Sequence, residues 1–171
     1  MTAVLKQIRR ADSGCVSYLI GSGETGECAI VDPLLDFETM LTEARKECFR
    51  RITHVIDTHT HADHISGARN IAKMLGLIGV HMHISSDGRF KTIPVKDDEP
   101  LELGDVELQF IHTPGHTQDH MCILVNNSKL LTGDTLLIGD VGRIDLGGDL
   151  RANSDSLYDS LHGKLLRLDD S

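Results

Sequence analysis

No stretch of the sequence comes near the run of roughly 20 apolar residues that a membrane-spanning helix requires, so no membrane partner is expected. Met1 to Asp12 hold neither an apolar segment nor a small-residue cleavage site of the kind that marks a secreted chain. Basic residues are scarce: 17 Lys and Arg against 26 Asp and Glu leave a formal net charge of -9. A nucleic-acid partner, which needs a basic patch to meet phosphates, is therefore not expected. Cysteine is sparse and scattered, at Cys15, Cys28, Cys48 and Cys122, and no pair has C-x-x-C spacing. That excludes a zinc knuckle and a thioredoxin-like redox site. A chain of 171 residues buries enough core to fold without disulfide staples. Reduced thiols and a reducing compartment follow: the cytoplasm, or the mitochondrial matrix if a transit peptide has been removed. Repeats, low-complexity tracts and linkers are also lacking, which predicts one domain over residues 1–171.

What is present is histidine, ten in all, three of them within residues 59–64. The surrounding pattern alternates between strands and helices. Val16 to Gly21 and Cys28 to Val31 read as strands joined by the polar turn 22–26. Asp36 is the expected cap of a helix whose apolar positions are Phe37, Met40, Leu41, Ala44 and Cys48. Ile52 to Ile56 is a short strand running into Asp57-Thr58-His59. Ser66 opens a second helix that Gly76 closes, and Leu77 to Ile84 reads as a further strand. Val106 to Ile111, Met121 to Val125 and Lys129 to Leu131 are strands, the last two joined by a turn at Asn126-Asn127. Asn153 or Ser154 is the expected cap of a last helix with Leu157, Leu161, Leu165 and Leu168 on one side. His59, His116 and Asp134 all fall just after strands, where function collects in layered α/β folds.

The segment His59-x-His61-x-Asp63-His64 carries the chemistry. Histidines two apart point to the same side of an extended chain, as two imidazoles sharing one ion require. Asp63 and His64, one step on, can face a second ion. Imidazole with carboxylate and no nearby cysteine in sequence suits a catalytic zinc, iron or manganese site that keeps open positions rather than a closed structural zinc site. Gly115-His116 and Gly133-Asp134 are weak signals alone, but in this order they support the first. Core or surface placement is the expectation for His54, His81, His83, His112 and His162. His120, four residues after His116, is left as a residue that can approach the site.

With Thr58-His59-Thr60-His61-Ala62-Asp63-His64, Thr113-Pro114-Gly115-His116-Thr117 and Leu131-Thr132-Gly133-Asp134-Thr135 in that order, the sequence resembles the metallo-β-lactamase superfamily over nearly its whole length. The resemblance implies an α/β αββα sandwich with metal at one edge of two packed sheets. Two branches fit. Gly142-Arg143-Ile144-Asp145-Leu146 and Ala62-Asp63-His64-Ile65-Ser66-Gly67-Ala68 are closer to the persulfide dioxygenases than to the hydroxyacylglutathione hydrolases.

The first branch implies one Fe(II) per chain on His59, His116 and Asp134, with glutathione persulfide and dioxygen as substrates and sulfite and glutathione as products. His61, Asp63 and His64 would then orient ligands and water, with Asp63 and His64 as catalytic groups. The second branch implies hydrolysis of a glutathione thioester. One metal, zinc for example, would sit on His59, His61 and His116, and another on Asp63 and His64 with Asp134 bridging. A metal-binding domain without turnover is the reading outside enzymology.

Arg143 and Asp145 are expected to form a buried or half-buried pair that binds substrate. Three departures from the family pattern stand out: Val141 where cysteine is common, Gln118-Asp119 in place of Pro-Gly, and an end at Ser171 before the family's last strand and helix. The last predicts a C-terminally incomplete sandwich that binds a second metal weakly and pairs as a homo-oligomer through its uncovered face.

Overall fold

The computed structural model describes residues 3–10, 14–88 and 90–169. Strands β1 (Ala3–Arg9), β2 (Val16–Ser22) and β3 (Glu27–Val31) form an antiparallel meander. Helix α1 (Glu38–Lys46) then crosses over to β4 (Arg51–Ile56), and α2 (Ala68–Met74) crosses to β5 (Val80–His83), so both new strands lie parallel to β3. Strand β6 (Thr92–Val95) completes a six-stranded sheet in the order β1-β2-β3-β4-β5-β6. The second sheet is antiparallel throughout: β7 (Leu101–Leu103), β8 (Val106–His112), β9 (Met121–Val125) and β10 (Lys129–Leu131), ordered β10-β9-β8-β7. A small hairpin, β11 (Leu136–Leu137) with β12 (Asp140–Val141), precedes α3 (Leu150–Tyr158).

Alternation along the strands sorts the core into two layers, as the two-residue strand period requires. Ile20, Ala29, Val31 and Ile56 face Leu108, Phe110, Met121 and Ile123 across the gap between the sheets. Their neighbours Leu19, Cys28, Ile30 and Val55 face outward onto Met40 and Ala44 of α1 and Ala68, Ile71 and Ala72 of α2. On the other side, α3 approaches the second sheet at Gly115, where a Cβ would overlap Leu157. The result is helix, sheet, sheet, helix, the αββα arrangement expected. No helix among the described residues is long and apolar enough to cross a membrane.

Several local expectations are corrected. Phe37, not Asp36, occupies the N-cap of α1, with no side-chain cap bond, and Cys48 lies past its end at a φ of 62°. Gly67, not Ser66, occupies the N-cap of α2, although the Ser66 Oγ one residue before it accepts the Ala68 N–H at 3.0 Å. The run 77–84 is extended only over β5. The last helix starts earlier than expected because the Asp149 carboxylate accepts the Ala152 N–H at 2.9 Å. Asn153 is buried inside it, donating to the carbonyls of Ile144 (2.8 Å) and Gly147 (2.7 Å). A π-helical segment, Asp159–Lys164, and a 3-10 turn, Leu165–Arg167, follow. That change of period breaks the expected leucine stripe: Leu157 and Leu165 are buried, Leu161 and Leu168 only partly.

Candidate metal centre

Three strand ends deliver the candidate ligands to one point. His59 follows β4, His116 follows β8 and Asp134 follows β10. Their ligand atoms lie within 4.8 Å of one another. Asp134 Oδ2 is 3.4 Å from His116 Nε2 and 3.9 Å from His59 Nε2. Both imidazoles are buried, while the Asp134 side chain is 43% exposed, so the group opens on the carboxylate side. A cavity of about 330 Å³ begins there, lined by Asp63, His116, Asp134, Leu137, Arg143 and Leu146 among others.

The hydrogen bonds fix which nitrogen of each ring is bare. Thr58 Oγ1 has one proton, and it goes to the carboxylate oxygen Asp32 Oδ2 at 2.8 Å. The same hydroxyl oxygen must then accept from His59 Nδ1–H at 3.0 Å, which leaves His59 Nε2 as a lone pair. That nitrogen is buried and has no hydrogen-bond partner. His116 Nδ1–H donates to the carbonyl of Arg143 at 2.8 Å, which turns its Nε2 toward Asp134. Burial, then the neighbouring imidazoles of His61 and His120, pushes the His59 ring down to about 2, so it stays neutral. Two Nε2 atoms converging on a carboxylate are the donor set of a divalent transition metal with open coordination positions. A buried, unpartnered His59 Nε2 is otherwise costly.

His61 turns elsewhere. Its Nε2 donates to Asp32 Oδ1 at 3.1 Å, and its ring packs 4.2 Å from those of His59 and His64. Burial opposes its charge, but Asp32 and then Asp57 outweigh it and raise the ring to about 9. His61, Asp32 and Asp57 form a second compact group of possible ligands. Asp63 and His64 bond each other, Oδ1 to Nδ1 at 3.0 Å, and join Cys15 in a third group.

Arg143 and Asp145 do pair, Nε to Oδ1 at 2.6 Å, with a second bond from the other end of the fork at 2.8 Å. The pair is exposed, 65% and 52%, and so is not the buried or half-buried pair expected. The backbone carbonyl of Arg143 is what meets His116. Gly142 makes that approach possible, since a Cβ there would overlap the Asp134 carbonyl oxygen and sit 3.0 Å from His116 Nδ1.

Sequence reasoning passed over Asp32, Thr58, Asp119 and Asn153. Asp119 Oδ2 accepts both the Thr60 N–H (3.1 Å) and the Thr60 hydroxyl (2.6 Å), and Gln118 donates to Asn153 at 3.0 Å. The departure Gln118-Asp119 therefore ties the histidine-rich loop and α3 to the loop of His116. Thr58, Asp119 and Asn153 are visible in the sequence as part of the motif, a departure from the family pattern and a helix cap, without the roles they take here. Val141, another departure, sits exposed on β12.

Comparison with known proteins agrees with this geometry. The model of the metallo-beta-lactamase superfamily matches residues 10–171. A hydroxyacylglutathione hydrolase of Polaromonas sp. is 36% identical over 159 residues, 90% of this chain and 58% of that protein. The human mitochondrial persulfide dioxygenase ETHE1 is 30% identical over 167 residues, 96% of this chain and 64% of that protein. The chain thus spans less than two thirds of the length of either relative. The crystal structure of ETHE1 from Myxococcus xanthus superposes with a TM-score of 0.87 at 29% identity, covering 97% of this chain and 71% of that one. A motif order, a sandwich and a family model that agree over nearly all of its residues place this chain in the metallo-beta-lactamase superfamily.

Proposed function

We propose that this chain is an iron-dependent persulfide dioxygenase, converting glutathione persulfide and dioxygen to glutathione and sulfite. The observation that carries the reading is the separation of the groups: His59, His116 and Asp134 form a two-histidine, one-carboxylate set, while His61 Nε2 is committed to Asp32. Such a set would hold one Fe(II) with coordination positions left open. Iron bound there supplies the electron-transfer chemistry that spin-paired substrates lack with dioxygen.

The chain's own residues do the rest. Thr58 and the Arg143 carbonyl hold the two imidazoles in the metal-binding tautomer. Asp63, bonded to His64 at 3.0 Å, reaches the cavity beside Asp134 and is placed to order water there. Arg143, already held in a fork by Asp145, lines the same cavity and offers a guanidinium to a carboxylate of the thiol substrate. The outer sulfur is oxidised, dioxygen is reduced, and water supplies the third oxygen of sulfite.

A second reading, metal-dependent hydrolysis of a glutathione thioester, is favoured by the 36% identity to the Polaromonas hydrolase. The two part in one assay. Protein loaded anaerobically with Fe(II) should consume oxygen when glutathione persulfide is added and release sulfite. Absence of oxygen uptake, together with thiol release from a glutathione thioester by the zinc-loaded protein, would replace the first reading by the second.

A further inference from the structure

His120 touches every loop that carries a candidate ligand. It is fully buried just before β9, and no motif marks it. Its backbone carbonyl accepts the Thr113 N–H at 2.8 Å, which anchors the loop of His116. Its Nε2 accepts the backbone N–H of Asp134 at 3.0 Å, which anchors the loop of the carboxylate. Its ring stacks on that of His59, centroids 5.0 Å apart and planes 27° apart. Because Nε2 accepts, Nδ1 carries the proton, and it faces the hydroxyls of Thr113 (2.8 Å) and Thr135 (2.9 Å). Both nitrogens are thus used, neither toward a metal.

The approach of the Asp134 loop is itself built around this contact. Gly133 has a φ of 47°, and a Cβ there would lie 2.6 Å from His120 Nε2 and 3.2 Å from Thr58 Oγ1. A side chain at 133 would push the loop off both the ring and the hydroxyl that orients His59. The glycine lets the Asp134 amide come down onto His120, and that sets where its carboxylate points.

We propose that His120 is the positioning residue of the centre, holding the Asp134 carboxylate in register with His59 and His116 through the bond from the Asp134 N–H to its Nε2. The proposal rests on the metal-site reading alone and not on iron or persulfide.

The test separates this bond from mere filling of the core. In His120→Gln the amide reaches the position of Nε2 and can still accept from Asp134. In His120→Asn it reaches only the position of Nδ1, keeping the threonine hydroxyls and losing Asp134. Both variants lose the stacked ring and each keeps one side of it, so their difference sets the bond to Asp134 against the bonds to Thr113 and Thr135. Zinc affinity is read by competition with a chromophoric chelator, the visible spectrum of the cobalt(II) form reports ligand geometry, and the melting of the metal-free proteins reports folding. His120→Asn should bind zinc about 10–100-fold more weakly with an altered cobalt spectrum, and His120→Gln should stay near wild type.

Equal affinity in all three proteins, or equal losses in both variants, would overturn the proposal. Wild-type protein that binds neither zinc nor cobalt would overturn the metal-site reading itself, which the variants cannot do. Should His120→Asn fail to fold, the wild type still decides: long-range proton–nitrogen spectra must show His120 neutral with its proton on Nδ1. A proton on Nε2 would refute the bond.

Discussion

Thr58→Val is the substitution that most directly tests how the centre is held. It keeps the shape of the side chain and removes one oxygen. In the native chain that oxygen donates to Asp32 Oδ2 at 2.8 Å and accepts from His59 Nδ1–H at 3.0 Å. The first is a bond to a charged acceptor, worth about 1.5–3 kcal/mol, and leaving the buried Nδ1–H unpaired costs about 1–3 kcal/mol. Asp32 keeps the Thr58 N–H at 2.7 Å and His61 at 3.1 Å, so the loss falls short of the full sum. A destabilisation of about 2–4 kcal/mol in the metal-free protein is expected. At roughly 2–4 °C per kcal/mol for a domain of this size, that is a fall of about 5–15 °C in melting temperature.

The larger consequence is at the other nitrogen. With no acceptor for Nδ1–H, the ring is free to carry its proton on Nε2, where the lone pair is needed, and zinc affinity should drop about 10–100-fold. Thr58→Ser restores the hydroxyl and should restore both quantities. Calorimetric melting and zinc competition read them separately. A Thr58→Val protein that melts and binds zinc like the wild type would refute the tautomer argument and, with it, the assignment of His59 Nε2 as the free donor.

The other expectations are briefer. Gly142→Ala forces a Cβ onto the Asp134 carbonyl, so zinc affinity should fall at least about tenfold, and unchanged affinity would mean that the loop moves aside freely. Arg143→Lys should leave the melting temperature unchanged, because the pair with Asp145 is exposed, but should raise KM for a carboxylate-bearing thiol; an unchanged KM would remove Arg143 from the substrate site. Burial holds the His81 imidazole down to about 4, below its usual 6.5, so the unfolded chain takes up this proton first as pH falls. Stability from this group is full above 6.5 and declines through 6.5 toward 4, by roughly 3 kcal/mol, and urea unfolding of His81→Gln at several pH values should show a shallower acid slope. Burial raises the thiols of Cys28 to about 12 and Cys122 to about 11, so a thiol reagent should label exposed Cys48 in the native protein and reach those two only after unfolding.

What the sequence disclosed, and what it hid, follows from how far each signal extends. Strands β9 and β10 were readable to the residue because their apolar runs meet at Asn126-Asn127, and both asparagines adopt positive φ, 47° and 50°, as a tight hairpin needs. The edge strands were not. β1 is nowhere fully buried and so shows no clean alternation, and β6 carries Pro94, which a strand tolerates at an edge. The last helix misled because Asn153 resembles a cap, while its amide serves the carbonyls of a preceding loop.

The centre divides in the same way. The residues that meet at one point are visible as a motif because their chemistry demands particular side chains at strand ends. The groups that aim them need only one acceptor or one proton in the right place, and the chain finds these wherever the fold brings them. His59 is set by its neighbour Thr58, but that hydroxyl is set in turn by Asp32, 26 residues earlier. His116 is set by a carbonyl 27 residues later, which any residue at 143 could supply if a glycine precedes it. Asp134 is set by His120, 14 residues earlier, through its backbone alone. A backbone partner leaves no mark on residue identity. The donors of this site can therefore be read from sequence, whereas the direction in which they point is a property of the packed sheets.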